Sequence, residues 1–78
     1  MSQKAKLVWN FNGSDALKIA EHHLTHLKEF SQLEKINFLE TGIDKVTDLA
    51  YEAFIIVEMK WVNTLRTKLK PNQGYLVE

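Results

Sequence analysis

The stretch Leu49-Ala50-Tyr51-Glu52-Ala53-Phe54-Ile55-Ile56-Val57-Glu58 is the longest apolar run of the chain. Its aromatic and β-branched residues suit a pleated backbone, and neither Gly nor Pro interrupts it. In a strand, successive side chains face opposite sides. Leu49, Tyr51, Ala53, Ile55 and Val57 then share one face, apolar except for a phenol hydroxyl. Ala50, Glu52, Phe54, Ile56 and Glu58 share the other, apolar in the middle and charged at Glu52 and Glu58. A strand covered on one face only alternates apolar and polar cleanly. This one does not. It reads as a central strand whose second face also needs cover, at Phe54 and Ile56.

Before this run, Ala5, Leu7, Trp9 and Phe11 alternate with Lys6, Val8 and Asn10, the pattern of a half-buried strand. Asn12-Gly13-Ser14 breaks it; Gly13 permits a turn, and Asn12 or Ser14 can cap a helix. That helix is expected over about Ser14 to Ser31, with Asp15 suiting its positive end. Its apolar stripe is Ala16, Leu17, Ile19, Ala20, Leu24, Leu27 and Phe30. Ile36 to Ile43 reads as a second strand, with Gly42 marking a bulge or bend and Asp44 to Asp48 a polar hairpin connection. After the central strand, Trp61, Val62, Leu65 and Leu69 give a second helix from roughly Lys60 to Lys70. Pro71 stops it, Gly74 turns the chain, and Tyr75-Leu76-Val77 makes a short last strand.

The order β-α-β-β-α-β gives two right-handed crossovers sharing a hairpin. The expected fold is therefore a ferredoxin-like α+β sandwich, one domain over residues 1–78. Two helices cover one face of a four-stranded antiparallel sheet, with the first and third strands in the middle. The name implies no iron–sulfur cluster, since the chain has no cysteine. In element order and apolar central strand the sequence resembles small proteins that pair open sheets into a dimeric α/β barrel. That resemblance implies a homodimer through the open face, with Val8, Phe54 and Ile56 at its centre. Ala20-Glu21-His22-His23-Leu24-Thr25-His26-Leu27, with Trp9-Asn10-Phe11-Asn12-Gly13 before it, also resembles small bacterial proteins of this size, and this carries no activity with it.

Composition agrees with association. A chain of 78 residues hides only about 60% of its unfolded surface when folded alone. Hydrophobic residues at 45% and charged residues at 26% describe a folded domain and exclude disorder. The lack of cysteine excludes disulfides and thiol chemistry and fits a reducing, cytoplasmic setting. Ten basic and ten acidic residues leave no net charge, which argues against a nucleic-acid partner. Inward-facing Trp9 and Phe11 argue the same way, because RNA-recognition modules of this topology keep stacking aromatics on the open face. No apolar stretch is long enough to cross a membrane, and the first residues lack a signal-peptide core. The three glycines are too scattered for a phosphate loop, and no pattern points to a cofactor.

The concentrated chemistry is in the histidines. His22 and His26 stand one helical turn apart, with Glu29 continuing the stripe, and two imidazoles so spaced can hold Zn²⁺ or Ni²⁺ weakly. The HExxH pattern is absent, because His23 occupies the position of its Glu. His23 falls inside the apolar stripe, where an imidazole must be packed and hydrogen-bonded or line a pocket with a shifted pKa. It is the candidate catalytic residue. A ligand-binding zone is expected at the carboxyl ends of the first and third strands, where both helices would begin. Trp9, Asn10, Asn12, Ser14, Lys60 and Trp61 are its candidates, with Glu58 and Asn63 nearby. Taken together, the sequence reads as a dimerising interaction or small-ligand-binding module. The alternatives are a small enzyme with a pocket at His23, or a weak metal site at His22 and His26.

Overall fold

A computed structural model describes residues 3–77. Strand β1 (Lys4–Asn12) leads to helix α1 (Ala16–Glu34), then strands β2 (Glu40–Thr47) and β3 (Ala50–Glu58). A 3₁₀ turn (Met59–Trp61) opens helix α2 (Val62–Leu69), and β4 (Gln73–Val77) follows. The sheet order is β2-β3-β1-β4, with every pair antiparallel. This α+β arrangement is compatible with the ferredoxin-like sandwich. It puts the two most apolar strands in the middle, as expected.

The core lies between the helices and one face of the sheet. Leu7 and Trp9 of β1, Ile55 and Val57 of β3, Leu27 of α1 and Leu65 of α2 are all buried in one cluster. The period of β3 is plain. Ala53, Ile55 and Val57 are fully buried, while Glu52, Phe54, Ile56 and Glu58 between them are only half-buried.

Five expectations are corrected in detail. β2 begins later than predicted, at Glu40. Ile36 is apolar because it packs into the core from the connecting segment, held by reciprocal bonds with Ser31, and not because it is in a strand. Asp44 to Thr47, read as a loop, are strand residues, since an edge strand exposed to water tolerates polar side chains on both sides. Gly42 marks no bulge; the register shift falls between Lys45 and Thr47. α1 takes neither Asn12 nor Ser14 as cap. Asp15 stands at its N-cap without a side-chain bond, and backbone groups close the turn. There the Gly13 amide donates to Leu49 O at 2.8 Å and its carbonyl accepts from Ala16 N–H at 3.1 Å, at a φ of +113° that favours glycine. Leu17 and Ile19, assigned to the buried stripe, are exposed.

Candidate functional site

The antiparallel pairing of β1 and β3 decides what the strand ends can do. Lys4 lies opposite Glu58 and Asn12 opposite Ala50. The carboxyl ends of these strands are therefore at opposite ends of the sheet, about 27 Å apart at the usual rise per residue. α1 starts beyond one end and α2 beyond the other. The expected ligand zone, in which both helix starts meet, does not form. Asn10, Asn12 and Ser14 stay near one end of the sheet, and Lys60 and Trp61 near the other. Trp61 packs against the core. Trp9 is buried and ties the layers together, its indole N–H donating to Leu69 O at 3.0 Å where α2 ends. Of the set, Asn10 and Asn12 alone share a cleft, about 210 Å³ in volume, with Phe11, Val46, Ala50, Tyr51 and Glu52.

His23 sits where the helical period put it. Its ring is tilted between Trp9 and Phe11, with centroids 5.2 and 5.4 Å away. Its Nε2 is buried without a hydrogen-bond partner. Burial, then the neighbouring His26, holds its pKa below the ordinary histidine value. Its imidazole is wedged between helix and sheet. It lines none of the three main clefts of the described residues, which lie by β4, by the β2–β3 hairpin and between α1 and β2.

His22 and His26 do meet. Their Nε2 atoms are 3.0 Å apart, and His26 Nδ1 is 3.4 Å from a Glu29 carboxylate oxygen. The carboxylate favours a proton on His26 Nδ1, which leaves its Nε2 to accept from His22. Two exposed imidazoles fill half of a tetrahedral shell. Among the described residues no group of three or more His, Cys, Asp or Glu side chains is arranged to hold a metal ion.

The open face carries the other expected set, and pairing defines its rows. Gly42, Phe54, Val8 and Gln73 run across the sheet in one row; Glu40, Ile56, Lys6 and Tyr75 run in the next. Val8 is 1% exposed, so it is covered within the single chain. Phe54 and Ile56 remain partly exposed. The Phe54 ring lies over Gly42, where a Cβ would stand 2.7 Å from its Cζ. Lys6 lies across the ring, its Nζ 4.4 Å from the centroid and 3.4 Å from Asp44. Sequence reasoning missed Gly42 and Lys6. Both become visible only once the strand register is known, because they reach Phe54 across strands.

At the far edge, a groove of about 220 Å³ opens between α2 and β4. Ala5, Leu7, Met59, Val62, Arg66 and Gly74 line it together with Tyr75 and Leu76, the last 70% exposed. Among the described residues no helix is long and apolar enough to cross a membrane. Comparison with protein-family models, curated proteins and solved structures finds no match for the chain.

Proposed function

We propose that the protein is a small self-associating interaction module, in which a second copy covers the helix-free face of the sheet. The observation that supports this reading is the partly exposed pair Phe54 and Ile56 at the centre of that face. Within one chain Phe54 is overlaid by the Lys6 ammonium, a flexible cover that a partner can displace. Two such sheets meeting face to face would make the dimeric α/β barrel to which the sequence points. A standard interface of about 800 Å² per partner would take roughly a seventh of the 5411 Å² that the single chain exposes. Val8, already covered by its own chain, contributes shape and no new burial. The rim supplies both charges, with Lys4 on β1 and Asp44 and Glu52 across the sheet.

The test is solution mass across a dilution series for the natural chain and for Phe54→Glu. The expected result is a dimer contact in the natural chain that the variant loses, with the helical circular dichroism of the variant unchanged. A folded Phe54→Glu protein of undiminished mass overturns the reading.

A further inference from the structure

We infer that β4 is a second self-association edge, pairing antiparallel with the β4 of another copy so that Leu76 of each chain enters the groove over Gly74 of the other. This goes beyond the open-face contact and uses a different surface.

The two edges of the sheet are unlike. An edge strand presents unpaired backbone N–H and C=O groups, and charges, bulges or proline normally protect it. β2 is protected in this way, with Glu40, Asp44 and Lys45 along it and a register irregularity between Lys45 and Thr47. β4 is not. Gln73, Gly74, Tyr75, Leu76 and Val77 include no charged residue and no proline. Tyr75 is 50% exposed and Leu76 70%. Unpaired strand backbone is matched by another strand, and a strand is complementary to itself across a two-fold axis.

Side chains then choose the register. The one antiparallel arrangement that pairs all of β4 with itself is centred on Tyr75, which sets Gln73 opposite Val77 and Gly74 opposite Leu76. Residues opposite one another in a sheet point to the same side. Gly74 lies opposite Leu7 of β1, on the helix-covered face, and Leu76 opposite Ala5. At Gly74 the floor of the groove is Leu7, whose Cδ2 would stand 3.3 Å from a Cβ there, and Met59, Val62 and Arg66 wall the groove from the helix side. A leucine from the partner enters at that point. The two-fold repeats the contact, so each exposed Leu76 is received by the other chain. The result is one continuous antiparallel sheet running through two copies, with the helices of both on the same side.

The chain has no native cysteine, so a single introduced thiol reads the register. On the two-fold, Tyr75 faces itself, and directly opposed strand residues have Cα atoms about 4.5–5.5 Å apart, within disulfide reach. Gln73 would stand roughly 13 Å from its own copy, beyond that reach. Under mild oxidation at micromolar concentration, the full-length Tyr75→Cys protein should form a covalent dimer at least tenfold faster than Gln73→Cys. Adding Leu76→Glu to Tyr75→Cys should abolish that advantage. Equal rates for the two thiols, or an advantage that survives Leu76→Glu, overturn the proposal. The open-face contact is scored separately by Phe54→Glu. Mass lost in Phe54→Glu together with unselective crosslinking removes the edge pairing and leaves the face pairing standing. Selective crosslinking with no change of mass in Phe54→Glu does the reverse.

Discussion

Ile55 and Ile56 are adjacent, chemically identical and differently placed. Ile55 points under the helices and is fully buried; Ile56 points to the helix-free face and keeps part of its surface in water. The same division runs along β3, with Ala53 and Val57 sealed and Phe54 between Glu52 and Glu58 half-open. One face is covered by two helices packed into the core. The other is covered by single side chains, a lysine over a phenylalanine over a glycine. Helices cannot be displaced without unfolding the domain, but the Lys6 side chain can, so the second face is the less firmly covered of the two.

The largest effect should separate the two isoleucines. Ile55→Ala leaves a cavity among Leu7, Leu27 and Leu65 and should cost about 2–5 kcal/mol. That is a large part of the stability of so small a domain. Ile56→Ala should cost about 1 kcal/mol or less in the monomer, since its surface is partly wet already. Urea midpoints of the two variants at low protein concentration give the comparison. Similar losses would mean that the open face is as tightly packed as the core.

A smaller effect tests how that face covers itself. Any side chain at Gly42 meets the Phe54 ring, so Gly42→Ala and Phe54→Ala should not be additive. A double-mutant cycle should return a coupling of about 1 kcal/mol. Additive losses would show that the ring does not rest on Gly42 in solution. Below this comes Lys6→Ala, which removes an exposed ion pair and a cation–π contact together worth about 0.5–1 kcal/mol. It should also uncover Phe54 and strengthen self-association in the dilution series. Weaker association would make Lys6 part of the contact rather than its cover.

Much of this division was legible in the sequence, because it rests on a period of two that needs no knowledge of partners. Tyr51, Ala53, Ile55 and Val57 were assigned to one face of β3, and Leu7, Trp9 and Phe11 of β1 to the same layer, from alternation alone. His23 was placed in the apolar stripe of α1 by the period of 3.6. What failed was whatever depended on strand direction or on the end of an element. The proposed ligand zone took the carboxyl ends of β1 and β3 to be neighbours, and antiparallel pairing separates Asn12 from Glu58 by the length of the strands. Ile36 was drawn into β2 because hydrophobicity reports burial, and a connecting residue can be buried too. Gly42 was read as a backbone irregularity when its role is to make room for a ring two strands' worth of sequence away.

The smallest effect belongs to the covered face and is read as a slope against pH. His23 is packed between Trp9 and Phe11 with a buried, unpartnered Nε2. Burial, with help from His26, lowers its pKa in the folded chain below the ordinary value of 6.5. As pH falls through that value, the unfolded chain takes up a proton that the folded chain still refuses, so folding loses stability. The loss grows until pH passes below the folded pKa, and is constant beneath it. His23→Leu removes the proton-binding group and the unpartnered nitrogen together. Relative to the natural chain, the variant should gain stability as pH is lowered from about 7.5 to 5, with urea midpoints measured in parallel so that the carboxylates common to both cancel. A difference that stays flat over this range would mean that the imidazole reaches water in the folded protein, and that the covered face is open at His23.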